Sequence, residues 1–357
     1  MVQIAVVSFC TFALAFAASL FACSLVMRLN VVDAPDGERK TQTRPIPRLG
    51  GVAILIGCVL GVAATFVIVI FNYSDDPIQH FQELPGRLVR DGASFAPAFG
   101  FAAAAFIIGL WDDIWTANTK LKLVLFAIAG LVAASAGLVP DGLNSPWGDL
   151  TQPAFLIGGT ALWLLVVTNA ANFMDGSNGL AIGCLAIMLA GLAAIAGATG
   201  AIAITFWWFP LIGAIAGFMV QNLRGHLYAG DAGSLGLGAL FSGLAIAAGL
   251  DVWTTATLAL PFLIDVLLTL VWRTKHGRNL LEAHLDHAYQ RIIASGWSHL
   301  ETAVLYWGFT ATAAVLAYIG AQAGGAAPLL IFWTLALAGS FIWVLHRRAA
   351  KRDNLSD

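Results

Sequence analysis

Long apolar runs alternate with short polar segments along the entire chain. Eleven runs are long enough to read as bilayer-crossing helices, for which about 17–25 residues suffice. They fall at roughly 4–27, 50–71, 96–111, 121–139, 153–170, 180–198, 200–220, 235–250, 252–272, 299–319 and 328–346, with 96–111 and 235–250 the shortest. The pattern predicts an all-α polytopic membrane protein of ten to eleven spans, one integral-membrane domain over 1–357 ending in a short tail at 347–357. Composition strengthens this: 59% of residues are hydrophobic and 11% charged, against about 25% charged in a soluble domain. The first run lacks a basic start and reads as a retained helix, not a cleaved leader.

Charge sets the orientation. Sixteen of the eighteen Lys and Arg residues fall in the loops that follow odd-numbered runs or in the C-terminal tail, and only Arg87 and Arg90 lie opposite. The positive-inside rule then puts the N-terminus outside and the C-terminus in the cytoplasm. The net charge of −2 points to no charged macromolecular partner, and no nucleic acid is expected. Cys10, Cys23, Cys58 and Cys184 all lie in apolar runs without ligand spacing and read as small core residues. Phe206–Phe209 and Trp253 read as interface anchors.

The outer loops hold scattered acids (Asp75, Asp76, Glu83, Asp91, Asp141, Asp149), read as solvated, while the inner loops carry the unusual polar residues. Asp112 and Asp113 end an apolar run. A carboxylate deep in a bilayer costs roughly 2.5–3.5 kcal/mol on insertion scales, and two adjacent ones stay ionised only beside a cation. In TNAANFMDGSNGLA (168–181), Asn169, Asn172 and Asp175 recur every three residues, which puts them on one helical face and makes an oxygen-rich set suited to Mg²⁺. The loop can equally be a plain helix–turn–helix connection. Asp231 lies in GDAGS just before another apolar run, where Ser234 is a candidate cap; that helix and the one after Gly179 should both offer free N–H groups to a phosphate.

The first loop, with Arg44 and Arg48 in the rigid RPIPRLGG stretch, suits an anionic substrate or lipid phosphate. The last loop holds His284, His287 and Arg291; phosphate contact fits them better than Zn²⁺, since no third ligand accompanies the His pair. His299 is a candidate cap, His346 a tail residue, and His276 has no evident role. Asp265, inside the ninth run, either lines a cytoplasmic cavity or makes a buried helix contact.

Taken in order, DAP…RK…RPIPRLGG, the Asp112–Asp113 pair, NAANFMDGSNGLA, GDAGS and HLDHAYQR resemble the polyprenyl-phosphate N-acetylhexosamine-1-phosphate transferases (glycosyltransferase family 4 type), over nearly the whole chain. The HxxHxYQR form followed by G-x-SH is most similar to the branch that starts lipopolysaccharide O-antigen repeats. The resemblance implies Mg²⁺-dependent transfer (with Mn²⁺ as a substitute) of a sugar 1-phosphate from a UDP-N-acetylhexosamine to undecaprenyl phosphate. UMP is released, and the reaction takes place at the cytoplasmic face of the bacterial inner membrane. It implies Asp231 as metal ligand, with Asp175 near metal and nucleotide. Asp112 and Asp113 are implied to deprotonate or position the lipid phosphate, and Tyr228 to stack on uracil. It further implies Arg44 on the nucleotide sugar, Asn172 and Asn178 in substrate binding, and His284, His287 and Arg291 on phosphate. Asn178 stands where the family usually has a second acid, Gln42 where it has a histidine, and His226 where it has a basic residue before GD. Which N-acetylhexosamine is used, and whether the chain forms a homodimer, are left open. The rival readings are a transporter or lipid flippase, disfavoured because the polar residues gather at one face, and a CDP-alcohol phosphotransferase, whose spaced acids are missing after Asp175.

Overall fold

The structure, a computed structural model, describes residues 2–35, 44–73, 95–143, 148–199, 202–280, 282 and 284–353. Arg39, Lys40 and Gln42 of the first loop, and Asp75, Asp76, His80, Glu83, Arg87, Arg90 and Asp91 on the opposite side, lie outside these residues. Twelve helices are described: α1 (Val2–Val26), α2 (Gly50–Tyr73), α3 (Ala96–Trp115), α4 (Thr119–Ser135), α5 (Pro153–Phe173), α6 (Leu180–Ala198), α7 (Ile202–Asn222), α8 (Gly230–Ala247), α9 (Val252–Lys275), α10 (Ala288–Ala294), α11 (His299–Ala323) and α12 (Ala327–Asp353). All but the seven-residue α10 coincide with the eleven apolar runs, and nine are long and apolar enough to cross a membrane among the described residues. The chain is an all-α, multi-pass membrane protein.

Three boundaries differ from the hydropathy reading, each because a polar group is held inside a helix. α3 runs on to Trp115 and takes Asp112 and Asp113 into its last turn. α5 continues through Asn172 to Phe173. α8 begins at Gly230, so GDAGS is its first turn and not the preceding loop. The predicted tail is also helical as far as Asp353, continuous with α12.

α6, α8 and α9 form the interior, whereas α12 lies at the periphery with most of its surface exposed. α3 and α5 pack along α8, α1 and α2 along α7, and α11 along α6. Trp208, expected as an interface anchor, is buried in this core, while Trp253 rests against Phe332 and Trp333. Cys23 and Cys184 are buried, and all four cysteines are free.

Backbone bonds stitch the polar loops together at one end of the bundle. A two-stranded antiparallel ribbon pairs β1 (Val32–Asp33) with β2 (Ile46–Pro47), in register Val32↔Pro47 and Asp33↔Ile46. The segment before α8 adds to it: Tyr228 N–H donates to Pro47 O (2.8 Å), Gly50 N–H to Tyr228 O (2.9 Å) and Gly51 N–H to Ala229 O (2.8 Å). Asn222, fully inside, accepts from Gly179 N–H (2.7 Å) and donates to Leu227 O (2.9 Å), which ties the third loop to the fourth. Tyr289 Oη donates to Phe173 O (3.0 Å), and Ser177 Oγ meets His299 Nδ1 (2.9 Å), tying the third loop to the last. His299 is therefore a cross-link and not a cap; Ser298 caps α11 by accepting from Glu301 N–H.

Asp265 makes the buried contact, and it also borders a cavity between α9, α10, α11 and α12. It is 2% exposed, and its oxygens accept from Ala288 N–H (2.8 Å), Tyr289 N–H (3.2 Å) and Tyr306 Oη–H (2.6 Å). It caps α10 from the middle of α9. Replacement by Leu strands three buried donors, each costing about 1–3 kcal/mol. We expect Asp265→Leu to lose about 3 kcal/mol or more of stability, read as a lower melting temperature in detergent. Thr269→Val, which removes only a 3.4 Å contact to the same carboxylate, should melt close to the parent; equal melting of the two would contradict the capping role.

Candidate active site

The last turn of α3 supplies two carboxylates with different duties. Asp113 is 2% exposed, and its oxygens accept from Asp231 N–H and Ala232 N–H, both at 3.0 Å, at the start of α8. A carboxylate at a helix N-terminus satisfies unpaired donors and meets the positive end of the dipole. Arg48 flanks it, with Nε 3.9 Å from its carboxylate and Nη2 donating to its backbone carbonyl (2.5 Å). Gly230 makes this approach possible: its φ is +72°, and a Cβ there would strike Arg48 O and Asp113 Oδ2. Two of the N–H groups that α8 was expected to offer a phosphate, those of Asp231 and Ala232, are taken by Asp113. Ser234 does not cap α8 either; its hydroxyl donates back to Gly230 O (3.1 Å).

Asp112 faces the other way. Oδ1 accepts from Ala117 N–H (2.5 Å), and Oδ2 accepts from the Lys122 ammonium (2.8 Å). The same ammonium reaches Asp231 Oδ2, also at 2.8 Å. Asp231 Oδ1 accepts from Asn172 Nδ2 (2.9 Å), which also donates to Ser234 Oγ (3.1 Å). Lys122 therefore bridges two carboxylates from different helices, the last turn of α3 and the first turn of α8. In the sequence Lys122 stands out only as one of the sixteen Lys and Arg residues on one side of the chain. The demand of the acid pair for a nearby cation was the available signal: Lys122 lies ten residues past Asp112, one short turn away.

Asp175 follows α5 in the third loop and feels both Asp231 and Asp113. Burial first, then those two charges, push its carboxyl well above the usual carboxylate range. Tyr228 is half-buried beside it, and burial, Asp33 and Asp175 push its phenol up. Gly176 is pressed onto Tyr289, so that a Cβ at this position would strike the phenol oxygen. Asn178 is half-buried in the same turn. Asn169, predicted to share the face of Asn172, instead bonds Leu165 O within its own helix (2.8 Å) and takes no part.

The histidine loop stands on the far side of Asp265. His287 Nδ1 lies 3.4 Å from Asp265 Oδ1, its ring stacked between Phe173 and Tyr289. His284 packs on His287, and its Nδ1 accepts from Asp286 N–H (3.3 Å). Burial, reinforced by His287 and Arg273, pushes His284 down to about 4, so it is neutral at pH 7 and offers an Nε2–H rather than a charge. Asp286 resists its own burial because Arg273 and Arg278 hold it below the usual carboxylate range. Arg291 is half-buried, with its Nε unpaired. His346 and Arg347, predicted as tail residues, pack here too, Arg347 donating to Asp286 O. Arg44 is exposed beside β2 and makes no hydrogen bond or ion pair among the described residues.

The structure thus gathers Asp112, Asp175, Asp231, Asn172, Lys122 and Tyr228 at the loop end of α3, α5 and α8, and leaves Arg44 at the edge. All the acidic-site acceptors are oxygens, the donor chemistry of a hard divalent cation. Among the described residues no three His, Cys, Asp or Glu side chains form a ready-made metal cage, and the cation between Asp112 and Asp231 is Lys122. Asp175, whose ionisation burial and its acidic neighbours oppose, is the carboxyl that a bound cation would help to ionise.

Known proteins match this arrangement. Residues 95–249, which span Asp112 to α8, match the model of glycosyl transferase family 4. The chain is 33% identical over 254 residues to a phospho-N-acetylmuramoyl-pentapeptide-transferase of Synechococcus sp. (strain RCC307), covering 63% of this chain and 69% of that protein. It is 27% identical over 295 residues to a probable undecaprenyl-phosphate N-acetylglucosaminyl 1-phosphate transferase of Bacillus subtilis (strain 168), with 79% and 75% covered. It is also 27% identical over 348 residues to a decaprenyl-phosphate N-acetylglucosaminephosphotransferase of Mycobacterium tuberculosis (strain CDC 1551 / Oshkosh), with 86% and 78% covered. The chain belongs to glycosyl transferase family 4, the membrane-embedded polyprenyl-phosphate N-acetylhexosamine-1-phosphate transferases.

Proposed function

We propose that this protein transfers the sugar 1-phosphate of a UDP-N-acetylhexosamine to undecaprenyl phosphate, at the cytoplasmic face of a bacterial inner membrane, to start a lipid-linked envelope glycan. The observation that carries this reading is the convergence of Asp112, Asp175 and Asp231 at the loop end of α3, α5 and α8, with a lysine held between two of them. A transporter would carry such groups near the midplane; here they close one end of the bundle.

The reaction joins two anions. An oxygen of the acceptor phosphate forms a bond to the sugar-bearing phosphorus of the donor as that phosphorus parts from UMP, which leaves with the electron pair. Catalysis of this kind is mostly positioning and charge stabilisation. Mg²⁺, or Mn²⁺ in its place, held by Asp231 and Asp175 with Asn172 alongside, would supply Lewis-acid screening of the donor diphosphate. Asp113 stays out of the chemistry and fixes the start of α8, and with it the position of Asp231. Asp112, free of helix capping, is left to orient the acceptor phosphate or take its proton. Lys122 supplies a mobile positive charge between the two anions, and Tyr228 a ring for the uracil.

Purified protein given undecaprenyl phosphate, Mg²⁺ and a panel of UDP-N-acetylhexosamines should release UMP with at least one donor; silence across the panel would sink the transferase reading. Chelation with EDTA should abolish release, and added Mg²⁺ or Mn²⁺ should restore it.

Five variants separate the roles. Asp231→Asn should lower turnover by about 10³-fold or more without unfolding, on the scale of losing an electrostatic group at a phosphoryl site. Lys122→Met should cost about 10²-fold, with partial rescue in Lys122→Arg. Asp112→Asn should lower kcat while leaving the melting temperature near the parent's, whereas Asp113→Asn should lower the melting temperature as well. The reverse pattern for the two would exchange their assignments.

A further inference from the structure

A cavity of about 500 Å³ lies between α9, α10, α11 and α12, apart from the acidic pocket. Its walls are apolar, with Leu260, Ile264, Phe309, Leu335 and Ile342 among them. Its contacts on α12 run from Leu335 to His346. At 1.5 Å per residue that is about 16 Å, roughly half of a ~30 Å hydrocarbon core, the depth of one leaflet. The α10 end of the cavity is polar, with arginines packed behind its wall. Trp343 and His346 form its wall there, and the buried Trp343 Nε1 and His346 Nδ1 have no acceptor. Behind them the Arg347 guanidinium is stacked between Trp272 (4.0 Å) and Trp343 (4.7 Å), its Nε and Nη1 unpaired, and Arg291 Nε is unpaired as well.

Two carboxylates face this cluster, and neither neutralises these arginines. Asp265 spends its oxygens on Ala288, Tyr289 and Tyr306, and the Asp286 carboxylate pairs with Arg273 and Arg278; Arg347 reaches only its backbone carbonyl. The cavity is also walled off from the acidic site. Asp265 and Ala288 line it on one side, while Tyr289 reaches across to Phe173 and Gly176 on the other.

We propose that this cavity is a second lipid site, which takes one acyl chain of an anionic phospholipid and seats its headgroup phosphate on Arg347, Arg291, His346 and Trp343. A hydrocarbon slot one leaflet deep, ending in unpaired buried donors with surplus positive charge, has the shape and polarity of such a lipid and not of a nucleotide. Occupancy would brace the histidine loop against α12 from the side opposite the acidic pocket.

Native mass spectrometry of the detergent-solubilised full chain tests this with phosphatidylglycerol and the chain-matched zwitterion phosphatidylethanolamine. The parent should retain one phosphatidylglycerol at least about five-fold more strongly than phosphatidylethanolamine. Ala338→Trp, which fills the cavity from its exposed mouth, and Arg347→Gln, which removes the charge, should each cut that retention about five-fold. Undecaprenyl phosphate should not displace the bound phospholipid. Equal retention of the two phospholipids by the parent, unchanged retention in Ala338→Trp, or displacement by undecaprenyl phosphate would each overturn the proposal, and none of these outcomes depends on whether UMP is released.

Discussion

A buried carboxylate facing the start of a helix is the interaction on which this architecture rests, and it occurs twice. Asp113 reaches from the end of α3 to the first N–H groups of α8, and Asp265 reaches from the middle of α9 to those of α10. Each bond joins elements far apart in the chain, and each satisfies donors that water would otherwise have to reach. In a chain with so little other polar chemistry, these two caps fix where the glycine-rich and histidine-rich segments begin. The placement of Asp231 depends on the first; that of His287 depends on the second.

The apolar layout and the gathering of five polar loops at one end were readable from residue order alone, because hydrophobic length and the alternation of polar loops between the two ends are one-dimensional signals. Contacts between loops were not. The pattern that put Asn169, Asn172 and Asp175 on one face treated a face as a destination, yet Asn169 found a carbonyl in its own helix, while Asn172 found Asp231. The adjacent acids Asp112 and Asp113 look equivalent in sequence. Successive residues on a helix point about 100° apart, and that rotation sends one to α8 and the other to Lys122. His346 and Arg347 were read as tail because hydropathy falls there, but the helix carries them back over the last loop.

The loops also behave as one polar network. Arg48 contacts both carbonyls at the end of α3, the ribbon that holds Arg48 is bonded to Tyr228, and the helix after Tyr228 is capped by Asp113. Removing any member leaves partners exposed to an apolar surrounding. Substitutions here should therefore combine non-additively, unlike those between separate faces of the bundle.

Lys122 gives the acidic pocket a resident counterion on a tether. Any ion that takes Asp231 must first exchange with an ammonium already in place. Coulomb attraction scales with charge, so a monovalent ion gains little from the exchange while a divalent ion gains about twice the attraction. A divalent cation would therefore compete with the ammonium for Asp231 better than a monovalent one. An amine displaced in this way would stay tethered within reach of both carboxylates, so the site would keep its positive charge while gaining another.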